Sequence, residues 1–163
     1  MIRKAKATDT PRIAELIEEA YARSPAYAGL GSVDTVRAKK IVVQAIQRHG
    51  QMGEGGWCVF VADTLGQVEG FAAAYLTRVY DIGPADLLLA LDWMIYKSAR
   101  CPATDGAQLL LAVERWAEKN PKVLEHQPTA VDTVAEDWKR LAGFYERRGY
   151  QLMGAVFRRR FAR

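Results

Sequence analysis

The chain has 163 residues, the size of one domain with no room for a second full one. Half of them are apolar and 26% are charged, a balance that excludes a disordered tail protein and a collagen-like repeat. The net charge of +4 is unevenly spread, because Lys139 to Arg163 holds eight basic residues and one acid, Glu146. A basic end of this kind can meet nucleic acid or an anionic small molecule. No aromatics alternate with its arginines, however, so a solvated helix face and a guarded edge strand are the preferred reading.

The longest apolar runs, Phe71 to Leu76 and Leu87 to Leu91, are far short of the roughly 20 residues a membrane helix needs, so no membrane association is expected. The start, Met1-Ile2-Arg3-Lys4-Ala5-Lys6, is basic but has no apolar run behind it, which points away from a secretory leader and toward the cytoplasm. Two cysteines, Cys58 and Cys101, and two histidines, His49 and His126, argue against both a disulfide framework and a metal site.

In chain order, the pattern predicts a short strand over Ile2 to Ala5. Thr10-Pro11 then reads as a helix N-cap and first turn, followed by a buried stripe of Ile13, Leu16, Ile17, Ala20 and Tyr21. A second helix is expected over Val33 to Arg48, ending at Gly50. Trp57 to Ala62 and Val68 to Val79 read as a hairpin joined by Asp63 to Gln67. The small residues Gly70 to Ala74 imply close packing against that strand. Leu87 to Tyr96 is a third long strand. A helix from Gly106 to Lys119, a strand around Val123 to Val134, a helix carrying Trp138, Leu141, Ala142 and Tyr145, and a closing strand from Tyr150 to Phe161 complete the order. Antiparallel strands joined to one βαβ crossover predict an α/β (α+β) domain over 1–163. Its sheet would be mixed, mostly antiparallel and twisted, of about six or seven strands with helices on both faces.

This order, together with Ala142, Phe144, Tyr145, Gly149 and Tyr150 and the opening Ile2-Arg3-Lys4-Ala5 before Thr8-Asp9, resembles the GNAT-type N-acetyltransferase superfamily. The blocks Arg78 to Gly83 and Asn120 to Val123 are similar to a phage-encoded branch of it. The resemblance implies acetyl transfer from acetyl-CoA to an amine acceptor, a small molecule or a peptide, by direct attack in a ternary complex. In that scheme Tyr145 protonates the leaving thiolate. Backbone amides at Met94, Ile95 and Tyr96 bind the thioester carbonyl, and Thr104, Asp105, Gly106 and Ala107 cradle the phosphates. Tyr21, Tyr27 and Tyr80 would line the acceptor's entrance.

The chemistry itself demands donors where negative charge develops and open amides for a pyrophosphate, most simply at a helix start. The family's Gln/Arg-x-x-Gly-x-Gly/Ala loop, laid on this sequence without gaps, puts Cys101 first and Thr104 at the first glycine, and matches only at Gly106. Pro102 lacks an N–H, and Asp105 is placed to cap the amides that phosphate needs. Lys97 and Arg100 can supply positive charge from the side. Asp92, inside an apolar strand, is the candidate base, with a structural partnership to Arg78 as its plainer role. Glu69, Asp132 and His126 are weaker entries, His126 reading as a surface residue. A binding module that has lost the cofactor site is the main alternative, and a nucleic-acid-associated protein the weaker one. The exposed edges of such a sheet leave room for a homodimer.

Overall fold

A computed structural model describes residues 1–27, 30–79, 83–84, 86–131 and 137–159. Its order is β1 (Ile2–Lys4), α1 (Thr10–Arg23), α2 (Thr35–Gln47), β2 (Trp57–Thr64), β3 (Gln67–Arg78), β4 (Leu88–Lys97), α3 (Ala103–Glu118), β5 (Val123–Gln127) and α4 (Trp138–Arg147). The strands form one sheet in the order β1-β2-β3-β4-β5. The first three neighbour pairs are antiparallel, and β4 and β5 run parallel around the α3 crossover. The mixed class is as the pattern predicts, but five strands are present among the described residues rather than six or seven.

Both faces of the sheet are covered, which is why its central strands are apolar throughout. Ile13, Leu16 and Ile17 of α1 and Val42 of α2 pack with Val59, Val61, Phe71 and Ala73. On the opposite face Leu109 and Val113 of α3 pack with Cys58, Ala72 and Ala74. The small residues of β3 answer to this double cover. A Cβ on Gly70 would stand 3.2 Å from the Tyr96 carbonyl oxygen and 3.3 Å from Leu109.

Several expected boundaries are corrected. Thr10 is the first residue of α1 rather than its cap, and its hydroxyl is buried without a partner among the described residues. The preceding Asp9 carboxylate is held instead by Arg3 at 2.7 Å and by the Lys6 amide. In α2, Asp34 caps the helix by accepting from the Arg37 amide at 2.9 Å. The strand expected to reach Val134 ends at Gln127, and residues 132–136 lie outside the described ones, with Asp132 among them. The closing strand is absent over 150–159, where the chain has no regular secondary structure and 151–159 is exposed.

The β2–β3 hairpin turns on Leu65 and Gly66, both with positive φ (55° and 84°), the two-residue geometry that matches strand twist. Leu65 is fully exposed, so its side chain gains nothing there and its backbone is strained. Leu65→Asn is expected to raise stability by about 0.5–1 kcal/mol, measured by urea unfolding.

Glu69 ties this core to the loop after β4. It is buried, accepts from Ser98 Oγ at 2.7 Å, and pairs with Arg12 at 3.2 Å and Arg100 at 3.0 Å. Ser98, opposed by burial and helped by Arg12, holds its carboxyl below the usual glutamate range. Glu69 is therefore a structural anion and not a base. Its contribution is full above the ordinary value of 4.5 and is lost as pH falls through the lowered one. Glu69→Gln should cost about 3 kcal/mol at neutral pH, with the gap from the parent closing in acid, read by denaturant melts across pH.

Candidate active site

Strand β4 is where the sheet stops being regular. Against β3 its register steps, so Met94 faces Ala73, Asp92 faces Ala74, and Trp93 is the extra residue of a bulge. Against β5 it is paired only over Leu88 to Leu91, where Leu91 meets Gln127. From Asp92 to Lys97 that edge of β4 has no strand partner among the described residues. The two parallel strands thus part at Asp92, and Met94, Ile95 and Tyr96 run along the open edge.

Side chains from β4, β5 and the end of α4 meet at this opening. His126 Nε2 lies 3.1 Å from Asp92 Oδ1, and its Nδ1 lies 2.8 Å from the Tyr150 hydroxyl. A carboxylate only accepts, so Nε2 donates to Asp92, and Nδ1 of the neutral ring accepts from Tyr150. The side chains of Asp92 and His126 are only 8% and 9% exposed, and Tyr150 is half-buried. The chain of three therefore runs from the protein interior to an accessible phenol.

Tyr145 packs on this chain, its ring 5.4 Å from that of Tyr150. It is 7% exposed, and its hydroxyl is buried with no partner in bonding geometry among the described residues. Burial first, and then the Asp92 charge beside it, push its ionisation far above the ordinary value of 10. Burial and the Glu114 charge do the same to Tyr150. Both phenols stay protonated at neutral pH. The local sequence builds this pairing. Gly149 adopts φ +87° past the end of α4, and the Tyr150 amide donates back to the Tyr145 carbonyl at 3.2 Å, a glycine-dependent helix stop that returns Tyr150 beside Tyr145.

The second half of the site is the start of α3, which opens at Ala103 rather than Gly106. Pro102, extended at ψ 144°, precedes it and offers no side-chain cap. Asp105 falls within the first turn, and its carboxylate lies 3.4 Å from the Met1 amino nitrogen instead of on the helix amides. The amides of Asp105 and Gly106 both reach the Pro102 carbonyl. Those of Ala103 and Thr104 meet no acceptor among the described residues. Gly106 makes room for a cation. A Cβ there would stand 2.9 Å from Lys97 Cδ, and the Lys97 ammonium reaches the Cys101 carbonyl at 3.4 Å. Two open amides beside an ammonium suit an anion.

Other sequence candidates fall elsewhere. Arg78 pairs with Glu54 at 2.8 Å and not with Asp92. Cys101 is buried, and burial pushes its thiol up, so it takes no place in an anion loop. Arg100 is engaged by Glu69. His126 is not the surface residue its polar neighbours suggested. Tyr21 and Tyr27 stack at 4.4 Å, and Tyr80 lies outside the described residues. Tyr150 entered the sequence reading only as part of the α4 signature and not as a site candidate, yet its hydroxyl meets His126 at this opening.

No family model matches the sequence, and no curated protein matches it. Solved structures do match in fold. Glucosamine-6-phosphate N-acetyltransferase from Arabidopsis thaliana is 11% identical, with 99% of this chain and 98% of that one covered at a TM-score of 0.68. AAC(6')-Iy in complex with the bisubstrate analogue CoA-S-monomethyl-acetylneamine is 18% identical, with 99% and 97% covered at 0.66. A transcriptional regulator from Bacillus halodurans C-125 is 16% identical, with 99% of both chains covered at 0.66. The chain has the mixed α/β fold of the GNAT-type acetyltransferases.

Proposed function

We propose that the protein is an N-acetyltransferase that moves an acetyl group from acetyl-CoA to an amine on a small molecule or peptide, both bound at once. The observation that carries this reading is the opening of β4 from β5 at Asp92, lined by the Asp92–His126–Tyr150 chain and Tyr145. It lies at the carboxyl end of two parallel strands, where such folds take ligands. The residues fit the cofactor. The Ala103 and Thr104 amides and Lys97 would hold its pyrophosphate, and the open edge at Met94, Ile95 and Tyr96 would meet its acyl arm.

Bound acetyl-CoA supplies the activated carbonyl that the amine attacks. The half-buried Tyr150 oxygen takes the proton the amine gives up, while its own phenolic proton passes to His126 Nδ1. Asp92 stabilises the resulting imidazolium through Nε2–H, as a buried carboxylate does for an oriented histidine. Tyr145, whose phenol stands beside the Asp92 charge, would give its proton to the departing sulfur and recover one from the protonated His126 through Asp92. The net movement is one proton from amine to thiol.

Titration calorimetry with acetyl-CoA, followed by thiol release with a panel of primary amines, tests the reading. Ala103→Pro removes one open amide at a helix position that tolerates proline. It should weaken acetyl-CoA binding roughly tenfold and leave the melting curve in place. Pro102, Thr104 and Asp105 in the phosphate position favour the second reading, a binding module of the same fold, which predicts no heat with acetyl-CoA at all.

A further inference from the structure

A cavity of about 440 Å³ lies at the other edge of the sheet, between β1, the end of α2 and the second half of α3. Three strand spacings, roughly 14 Å, separate β1 from β4 and its opening. Phe60 and Trp116 supply aromatic walls, and the Trp116 indole N–H is buried with no acceptor among the described residues. The charged lining is of one sign. Arg3, Lys4, Arg115 and Lys119 all face the cavity, and no carboxylate lines it among the described residues.

Arg3 is neutralised by Asp9 and Asp63, but Lys4, Arg115 and Lys119 form no ion pair among the described residues. Cations in the last turn of α3 answer its dipole. That does not account for Lys4, which arrives from β1. Nor does it account for Arg115 and Lys119 standing four residues apart, where like charges repel. His49 adds a ring whose Nδ1 accepts from the Val59 amide at 3.1 Å, so its neutral form carries the proton on Nε2.

We infer that this cavity is a second binding site, for a small anion with a flat apolar body, such as an aromatic carboxylate or sulfonate. The aromatic walls take the body, and the three unpaired cations hold the acidic group. The size suits such a ligand. The site stands apart from the proposed acetyl-transfer cleft and does not depend on it.

The probe is 2-naphthoate, titrated calorimetrically beside its neutral analogue 2-naphthylmethanol. The acid should bind at least roughly tenfold more tightly. Ala112→Phe, which fills the cavity from α3, should abolish binding of the acid. Lys119→Glu, an exposed change that leaves the fold intact, should weaken it by a similar tenfold or more. Saturating CoA should leave the affinity unchanged. No heat from the parent, equal affinity for acid and alcohol, undiminished binding to the filled variant or displacement by CoA would each overturn the proposal.

Discussion

Tyr145→Phe is expected to give a protein that melts higher than its parent and transfers acetyl groups roughly a hundredfold more slowly. Both effects come from one oxygen. The Tyr145 hydroxyl is buried and has no partner in bonding geometry among the described residues, with the Asp92 charge beside it, though it was hydrated in the unfolded chain. Removing it deletes an uncompensated desolvation cost of about 1 kcal/mol, worth about 3 °C for a chain of this size. The ring stays, so its packing against Phe144 and Tyr150 is kept. A core tyrosine with no chemical role would show the first effect without the second. The rate should fall in kcat, with acetyl-CoA affinity unchanged, because the phenol acts only as sulfur leaves. A variant that is more stable and equally fast would remove Tyr145 from the mechanism.

Local patterns in the sequence carry most of the fold. The buried stripe of α1, the hairpin and the α4 signature each rest on contacts or turns within a few residues, and the structure has them. What was misread depends on distant partners. The segment after Tyr150 has β-prone residues, but Leu152 with Met153 and Val156 with Phe157 fall as adjacent pairs. A strand sends adjacent residues to opposite faces, so neither face is apolar. β5 ends at Gln127, 151–157 joins no strand among the described residues, and Phe157 is left 93% exposed. Asp105 has the chemistry of a cap, yet Pro102, fixed in φ and extended in ψ, starts the helix earlier and leaves the carboxylate inside the first turn. His126 sits between Glu125 and Gln127, which reads as surface. Its ring turns inward to Asp92, 34 residues away, a contact no local pattern encodes. Tyr145 and Asp92 were legible singly, one by resemblance and one as an acid in an apolar run, while the histidine that links Asp92 to Tyr150 was not.

That link makes the second large effect specific. Asp92→Asn should lower kcat/KM roughly a hundredfold near neutral pH. The carboxylate holds His126 with its proton on Nε2, leaving Nδ1 to accept from Tyr150. An amide of the same shape cannot stabilise the imidazolium. If its NH₂ turns toward the ring, it also forces the proton to Nδ1, where the Tyr150 hydroxyl can no longer donate. His126→Gln breaks the same path, so the double variant should be no slower than the worse single one, the mark of residues acting as a unit. The pH profile separates chemistry from structure. The relay takes the proton that the nitrogen sheds as it attacks, which hydroxide can take instead in alkaline solution, so the deficit of either variant should narrow as pH rises. A merely structural Asp92–His126 pair would give a deficit that is flat in pH and tracks the melting temperature. A parallel drop at every pH would take the relay out of the mechanism and leave Tyr145 as the acid acting alone.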